Sequence, residues 1–407
     1  MRVAVVGGGI AGLTFAAWLG RAGLDCTVYE RADEPRDAGL GIQLSPNGVR
    51  LLHRLGLAPE LARRAVAPEA REFRRWRDGR VVGWTTLGAE CADRFGAPYL
   101  TLRRGDLHAC LRTVVTGPVE LGRRCVAVSE DHRGVEVSFA DGPPVRADLV
   151  VGADGAGSVV RRAISPDQPC RSGLVVHRGL VPAGAVADPR PRVSIFAGPG
   201  QHCVWYPVSA DWYSLAAVTT GPDRSFTGWH PDVTRMLAAV TGLTSRPLWD
   251  RPTPPRWHSA RSHWAGWHSA RSRSTRSHWA RSHSARIALI GDAAHPMPPF
   301  AAQGASQAIE SAVALAAGLA GLRGLAGLRT GADLTEVLGR YARLREPRLR
   351  QVLATVRRNG EELHRPDGEA QRRRDRALSE HSGLSDQDWL YGYDVSRGPA
   401  APVGPAS

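Results

Sequence analysis

The sequence predicts an α/β protein: a Rossmann-like nucleotide-binding domain, a β-sheet domain inserted into it, and helices at the C-terminal end. Three observations carry that prediction. The apolar run RVAVV at 2–6 leads directly into Gly7, Gly9 and Gly12, spaced G-x-G-x-x-G, and then into a helical stretch. Two further apolar runs, DLVVGA at 148–153 and IALIG at 287–291, also lack polar alternation, as strands buried on both faces do. Between them, 174–220 alternates apolar and polar positions and carries several aromatics, as an antiparallel sheet would.

Each element follows in order. LTFAAWLGRAG at 13–23 predicts a helix ending at Gly23, and LDCTVYE at 24–30 a second strand ending in Glu30. With 2–6 these form a βαβ unit in the expected ~30 residues. Residues 46–64 are helical with a break near Gly56 to Pro59. Segments 71–77 and 80–87 suit a hairpin about Asp78-Gly79, 104–116 a helix, and 119–128 with 134–139 a second hairpin-like pair. A small-residue helix is expected over 301–326.

A chain of 407 residues is too long for one small core and suits such a composite. With 43% hydrophobic and 23% charged residues it is neither disordered nor fibrous. No lysine occurs, so all 53 basic residues are arginine. That excludes a pyridoxal Schiff base, a P-loop lysine or a lysine general base, but not chemistry carried by a bound cofactor. The net charge of +14 raises the question of nucleic acid. Arg261, Arg271, Arg273, Arg276, Arg281 and Arg286 supply six of those charges within 258–286, a stretch with no acid. There HSAR recurs at 258–261, 268–271 and 283–286, and RSHWA at 261–265 and 276–280. An expanded surface loop explains these repeats better than a stacking platform of Trp264, Trp267 and Trp279, or a histidine metal site. No nucleic-acid partner and no metal are expected.

Cys26, Cys91, Cys110, Cys125, Cys170 and Cys203 are scattered without a C-x-x-C pair, as in a cytoplasmic protein with reduced thiols. No apolar run approaches the roughly 20 residues needed to cross a bilayer, and the N-terminus opens on a strand rather than a signal peptide.

Three motifs carry chemistry. Gly7, Gly9 and Gly12 permit a tight turn, close approach of backbone to a pyrophosphate, and close helix–strand contact. The helix behind them offers free N–H groups to phosphate. Glu30, eighteen residues past Gly12, can accept both hydrogen bonds of an adenosine ribose diol. The second motif is GADGAGSVVRRAI at 152–164, where Asp154 follows a buried strand and Ser158 and Arg161 open a helix; taken alone it suits an Asx turn capping that helix. In the third, IALIGDAAHPMPPFAAQGASQAIESA at 287–312, a strand ends at Gly291-Asp292, where a carboxylate can reach a polyol hydroxyl. Pro296 to Pro299 then stiffen a turn before a helix beginning near Gly304.

In this order the three motifs resemble the FAD-dependent aromatic hydroxylases, single-component flavoprotein monooxygenases of the para-hydroxybenzoate hydroxylase type, over about residues 1–350. GLGIQLSPNGVRLLHRLGL (39–57), TLRRGDLHACL (101–111), the YPV at 206–208 and WLYGYD (389–394) point to the subgroup similar to salicylate hydroxylase and 3-hydroxybenzoate 6-hydroxylase. The resemblance implies that Gly7, Gly9, Gly12 and Glu30 hold the ADP half of FAD. Arg31 and Arg104 would contact its adenosine or phosphates. Gln43 would lie near the isoalloxazine or ribityl chain, and Asp154 in a motif associated with both FAD and NAD(P)H. Asp292 would meet the ribityl or pyrophosphate part, and the turn from Pro296 to Gly304 would line the flavin ring. On this reading 1–70, 101–170 and 287–330 build the FAD-binding domain, and 71–100 and 171–255 the substrate domain. Residues 256–286 form the repetitive loop, 331–365 a C-terminal helix, and 366–407 a polar, loosely held tail in which Trp389, Leu390, Tyr391 and Tyr393 dock locally.

The implied reaction takes hydride from NAD(P)H and oxygen from O2. A flavin hydroperoxide, shielded from water, then hydroxylates a phenolic, benzoate-like or natural-product ring. A base near the substrate hydroxyl helps, because a phenolate reacts better than a phenol. His202 and Tyr206, four apart in HCVWYPV, are the candidates for that base and its neighbour, sharing one strand face, with Trp205 on the other. One departure stands out. Pro298, Pro299 and Phe300 replace the usual polar turn after HPM, which favours a larger or less polar aromatic over a simple benzoate. A flavin halogenase is excluded because it needs a lysine. A flavin oxidase and a catalytically silent flavin-binding protein are the alternatives, and the oligomeric state, homodimer included, is open.

Overall fold

The computed structural model describes residues 1–34, 40–165, 167–221, 225–251, 256–259, 285–323, 331–380 and 383–397. Its centre is a five-stranded parallel sheet in the spatial order Ile287–Leu289, Leu149–Gly152, Val3–Val6, Cys26–Tyr29 and Val119–Glu120. Val3–Val6 and Leu149–Gly152 are buried at every position, which is why neither alternates. Helix Ile10–Arg21 returns the chain between the first two strands and packs on the 20-residue helix Gly304–Arg323. The expected βαβ unit is therefore present.

The segment expected as one strand over 119–128 is two. Val119–Glu120 joins the parallel sheet beside Cys26–Tyr29. Gly122, at φ +71°, then turns the chain away. Only Cys125–Asp131 pairs with Gly134–Phe139, in a three-stranded antiparallel sheet completed by Val145–Ala147.

The inserted domain is a seven-stranded sheet in the order Thr241–Asp250, Cys170–Pro182, Trp212–Thr220, Gln201–Pro207, Arg192–Gly198, Ala70–Arg75 and Val81–Thr86. The last two form the expected hairpin, with Gly79 at φ +66° in its turn. Alternation along Gln201–Pro207 sends Cys203 and Trp205 into one apolar cluster, where Trp205 stacks on Phe196 at 4.8 Å, and Tyr206 into another. Helix Gly88–Phe95 follows the hairpin, an element not read from the sequence.

The view of 366–407 as a loosely held tail needs correction over its described part. Residues Glu369–Glu380 form a helix, Asp388–Tyr391 a further turn, and Tyr391 is 1% exposed. The polar composition hid this because the bonds that hold the segment come from arginines far away. Arg348, in the long helix Gly331–Leu363, donates to the carbonyls of Trp389 and Leu390 at 2.7 and 2.9 Å. Arg50 donates to those of Tyr391 and Tyr393 at 3.2 and 3.0 Å.

Residues 260–284, which hold most of the repeats and Trp264, Trp267 and Trp279, lie outside the described residues. The flank before them is ordered along a strand: His258 bridges antiparallel to Ala288, and Leu289 N–H donates to the Trp257 carbonyl at 3.0 Å. This pairing covers the outer strand of the parallel sheet, whose exposed edge would otherwise invite association. Among the described residues no helix is long and apolar enough to cross a membrane.

Candidate active site

The glycine turn is packed backbone against backbone. Gly7 adopts φ +109°, and a Cβ there would fall 2.4 Å from the Ala153 carbonyl oxygen; one on Gly12 would fall 2.0 Å from the Gly7 carbonyl oxygen. Gly9 differs. A Cβ there would meet only an Arg104 guanidinium nitrogen, 3.9 Å away, so its backbone faces open space. Among the described residues no side chain caps the helix that Gly9 opens, which leaves its first amides for a ligand anion. Glu30 is pinned over the turn, accepting from Gly8 N–H at 2.7 Å and Ala32 N–H at 3.0 Å. Its remaining lone pairs suit a diol. Arg31 beside it is exposed, and Arg104, at the start of helix Arg104–Val114, reaches toward Gly9.

Asp154 performs the capping that its local sequence suggests. It accepts from the Ser158 hydroxyl and from the amides of Val159 and Val160 at 2.6 and 3.2 Å, at the head of helix Val159–Ile164. Burial raises its carboxyl pKa against those bonds. Arg161, 1% exposed, then spans to the third motif, donating to the carbonyls of Ala293 and Ala294 at 3.0 and 2.6 Å. Its other edge meets Asp167 at 2.9 and 2.8 Å, and Asp167 also takes Arg251 at 2.6 Å. Burial would raise the Asp167 carboxyl, but Arg161, Ser165 and Arg251 bring it down to about 2. This clasp joins the Asp154 and Asp292 turns. Sequence reasoning saw in Arg161 only the opening of a helix.

Gly291, at φ +58°, brings the Asp292 turn against the head of the first helix: a Cβ on it would lie 2.7 Å from the Ala11 Cβ. Asp292 stays accessible to water yet lies deep among protein atoms. That crowding raises its carboxyl pKa against the pull of Arg104 and Arg178. Arg178, in strand Cys170–Pro182, was missed in the sequence. It faces both Asp292 and Tyr206, and its buried Nε lacks a hydrogen-bond partner among the described residues. The signal was available, since His177 and Arg178 interrupt an apolar run in LVVHRGLVP. Pro296 is buried, Ala302 holds an uncommon φ of +51°, and a Cβ on Gly304, which opens its helix, would meet no further atom of the described residues within 4 Å.

Beside this cleft lies a cavity of about 750 Å3, walled by the inserted sheet, the turn Pro299 to Ala302, the end of the long helix and the C-terminal segment. His202 lines it and is 4% exposed overall. Its Nδ1 shares a 2.8 Å hydrogen bond with His364 Nε2, and the Phe300 ring stands edge-on at 5.8 Å. Burial and the neighbouring imidazole push His202 down to about 3, and burial pushes His364 down to about 4. Both rings are neutral near pH 7. Gln43, in strand Gly41–Leu44, lines the cavity and accepts from the Tyr99 hydroxyl at 2.7 Å.

The expected pairing of His202 with Tyr206 changes. Tyr206 is not among the residues at the cavity wall; its hydroxyl is engaged by Ser214 and Gln43, and burial raises its pKa. Tyr99 occupies the wall instead, and the partner of His202 lies 162 residues on, just past the end of the long helix. The Phe300 bulk is partly absorbed elsewhere. A Cβ on Gly360 of the long helix would lie 2.6 Å from its ring, so the glycine makes room for it.

The open backbone at Gly9 and Gly304, the uncapped first helix, the accessible Asp292 and the unpartnered Arg178 Nε together fit an elongated dinucleotide with a polyol and a ring. Joined to an aromatic-walled cavity, such a cleft defines a flavin-dependent aromatic monooxygenase. The chain belongs to the family described as FAD binding domain, whose model matches residues 1–356. It is 43% identical to a 3-amino-4-hydroxybenzoate 2-monooxygenase of Streptomyces platensis, over 99% of this chain and 97% of that protein. It is 31% identical to a 3-hydroxybenzoate 6-hydroxylase of Klebsiella oxytoca, over 97% of each chain. The crystal structure of Klebsiella pneumoniae HpxO with FAD and uric acid is similar at TM-score 0.78 and 26% identity, over 98% of this chain and 97% of that one. The protein is an FAD-dependent enzyme of aromatic hydroxylation, and NAD(P)H is the reductant typical of its family.

Proposed function

We propose that the enzyme hydroxylates a small aromatic acid bearing a ring hydroxyl, of the aminohydroxybenzoate type, with O2 as co-substrate. One observation carries the reading: a neutral, buried imidazole, His202, stands at the wall of an aromatic-lined cavity next to the nucleotide cleft. The apolar turn at Pro298 to Phe300 favoured a larger ring. The Gly360 recess and the relationship to a 3-amino-4-hydroxybenzoate 2-monooxygenase favour one of benzoate size.

When bound, FAD would carry electrons from NAD(P)H to O2 and so activate the oxygen atom that the ring receives from O2. Gly7, Gly9, Gly12 and Glu30 hold the ADP half of that cofactor, and Arg104 and Arg31 face its phosphate and adenosine side. Asp154, through its helix cap, and Arg161 set the distance between the two aspartate turns. Asp292 and Arg178 meet the polyol, and Pro296 to Gly304 with Gln43 frame the ring. Tyr206 positions Gln43.

His202 moves the substrate's proton. With Nδ1–H donated to His364, its Nε2 carries the lone pair that accepts from a substrate hydroxyl. An isolated imidazole with a pKa of about 3 is a poor base. The negative charge that develops on the phenolic oxygen beside it favours the imidazolium and restores its basicity. Phe300 and the surrounding rings keep water from the reacting atoms.

The reading is tested with FAD-loaded protein. 3-Amino-4-hydroxybenzoate should raise NAD(P)H oxidation above the ligand-free rate and yield a product heavier by one oxygen atom. Stimulation by no hydroxybenzoate, in a protein that carries its flavin, would reject it. His202→Ala should slow product formation by about 100-fold while leaving flavin reduction by NAD(P)H nearly intact, as followed by stopped-flow absorbance. Equal slowing of both steps removes His202 from the role of base.

A further inference from the structure

Five arginines line the cavity, and their partners separate them. Arg365 pairs with Glu362 at 2.6 Å, Arg373 with Glu369 at 3.0 Å, and Arg374 with Asp375 at 2.7 Å. Arg358 is exposed to solvent. Arg71 stands apart. It rises from strand Ala70–Arg75 on the same sheet face as Phe73, which also lines the cavity, and it is partly buried. Among the described residues its guanidinium has no ion pair. Its hydrogen bonds are two long ones, to the Tyr391 and Thr85 hydroxyls, each 3.3 Å.

A guanidinium turned into a cavity without a counter-ion is a costly arrangement for a chain that pairs most of its other cavity arginines. Its planar fork matches a carboxylate with two parallel bonds. Tyr391 completes the arrangement. Its oxygen accepts from Arg71, which leaves its own proton to donate to a bound anion. Tyr391 is 1% exposed and packed edge-on against Phe95 at 5.5 Å, so the hydroxyl is held in place. We infer that Arg71, assisted by the Tyr391 hydroxyl, seats the carboxylate of the aromatic acid and sets the enzyme's preference for acids over neutral phenols. The assignment rests on the proposed reading of this cavity as the substrate site. It also explains why the C-terminal segment is anchored so firmly, since that segment delivers Tyr391.

The test titrates FAD-loaded wild type, Arg71→Gln, Arg71→Lys and Tyr391→Phe with 3-amino-4-hydroxybenzoate and with 2-aminophenol, its carboxylate-free counterpart. The readouts are the flavin absorbance change on binding and stimulated NAD(P)H oxidation. Arg71→Gln should weaken the acid by about 10- to 100-fold, the loss of a charge-assisted pair, and leave 2-aminophenol within about twofold. Lysine should restore part of the affinity, as a point charge without a fork, and Tyr391→Phe should raise the KM of the acid more than it changes kcat. Unchanged affinity for the acid in Arg71→Gln, or equal loss of both ligands, overturns the inference. If Arg71→Gln fails to retain FAD, Tyr391→Phe decides by the same comparison of the two ligands. Wild type that takes 2-aminophenol as well as the acid refutes the carboxylate seat and leaves the hydroxylase standing. Wild type that takes neither removes the substrate reading and this seat with it.

Discussion

Gly12→Ala should leave the protein largely without FAD. The added Cβ would stand 2.0 Å from the Gly7 carbonyl oxygen, and neither side can yield. The obstructing atom is backbone. Gly7 is itself fixed by its N–H bond to the Tyr29 carbonyl at 2.8 Å and by close contact with Ala153 behind it. The remaining response is for the helix Ile10–Arg21 to move off the sheet, carrying its first amides from the place proposed for the cofactor's phosphates. Overpacking of this kind costs about 1–3 kcal/mol, and if the cost falls on the bound geometry it weakens FAD by about 10- to 100-fold. The flavin-to-protein absorbance ratio after gel filtration reads the outcome. The same added carbon at Gly321, where no atom of the described residues lies within 4 Å, should leave that ratio unchanged. Full flavin content in Gly12→Ala would show that the turn has more room than its packing indicates.

That turn was legible because its requirements are local. Strand, glycine spacing, helix and Glu30 all fall within thirty residues, and each is tied to its neighbour by chain geometry. The hairpin at Asp78-Gly79 was readable for the same reason. What escaped was built from distant partners. His202 was matched with Tyr206 by strand spacing, yet its hydrogen bond goes to His364 on another element. Arg161 closes a contact over more than a hundred residues to Ala293, and nothing in RRAI announces it. Arginine composition obscured the most. In a chain with 53 of them and no lysine, those that do structural work look like those that only face solvent. Burial and partners, not identity, separate Arg71 and Arg348 from the rest. The tail was misjudged through the same ambiguity, since arginines far away in sequence, Arg50, Arg54, Arg94 and Arg348, hold its carbonyls and its Asp388 and Asp394.

Glu310→Ala should cause the largest loss of stability. Glu310 is fully buried in helix Gly304–Arg323, with Arg345 at 2.5 Å, Arg348 at 3.1 Å and the Asn47 amide at 2.6 Å. Burial alone would raise its carboxyl pKa; Arg348 and Arg345 outweigh that and hold it at about 2. A carboxyl depressed in this way stabilises the fold fully above its ordinary value of 4.5, and the contribution is lost as pH falls through about 2. Removing it strands two buried guanidinium groups, a loss of about 3–5 kcal/mol, or ~4–6 °C in thermal midpoint for a chain of this length. Thermal unfolding at pH 7 and at successive steps below pH 4.5 should show the wild type losing this contribution through that window, and the variant lacking it throughout. The effect also reaches the cavity. Arg348 holds the Trp389 and Leu390 carbonyls while it pairs with Glu310, so releasing its charge loosens the segment that carries Tyr391. Affinity for an aromatic acid should therefore fall in Glu310→Ala even at temperatures where the protein stays folded. A midpoint within about 1 °C of wild type would mean that water or a neighbouring side chain takes over the neutralisation, and the coupling between this buried network and the substrate wall would be lost with it.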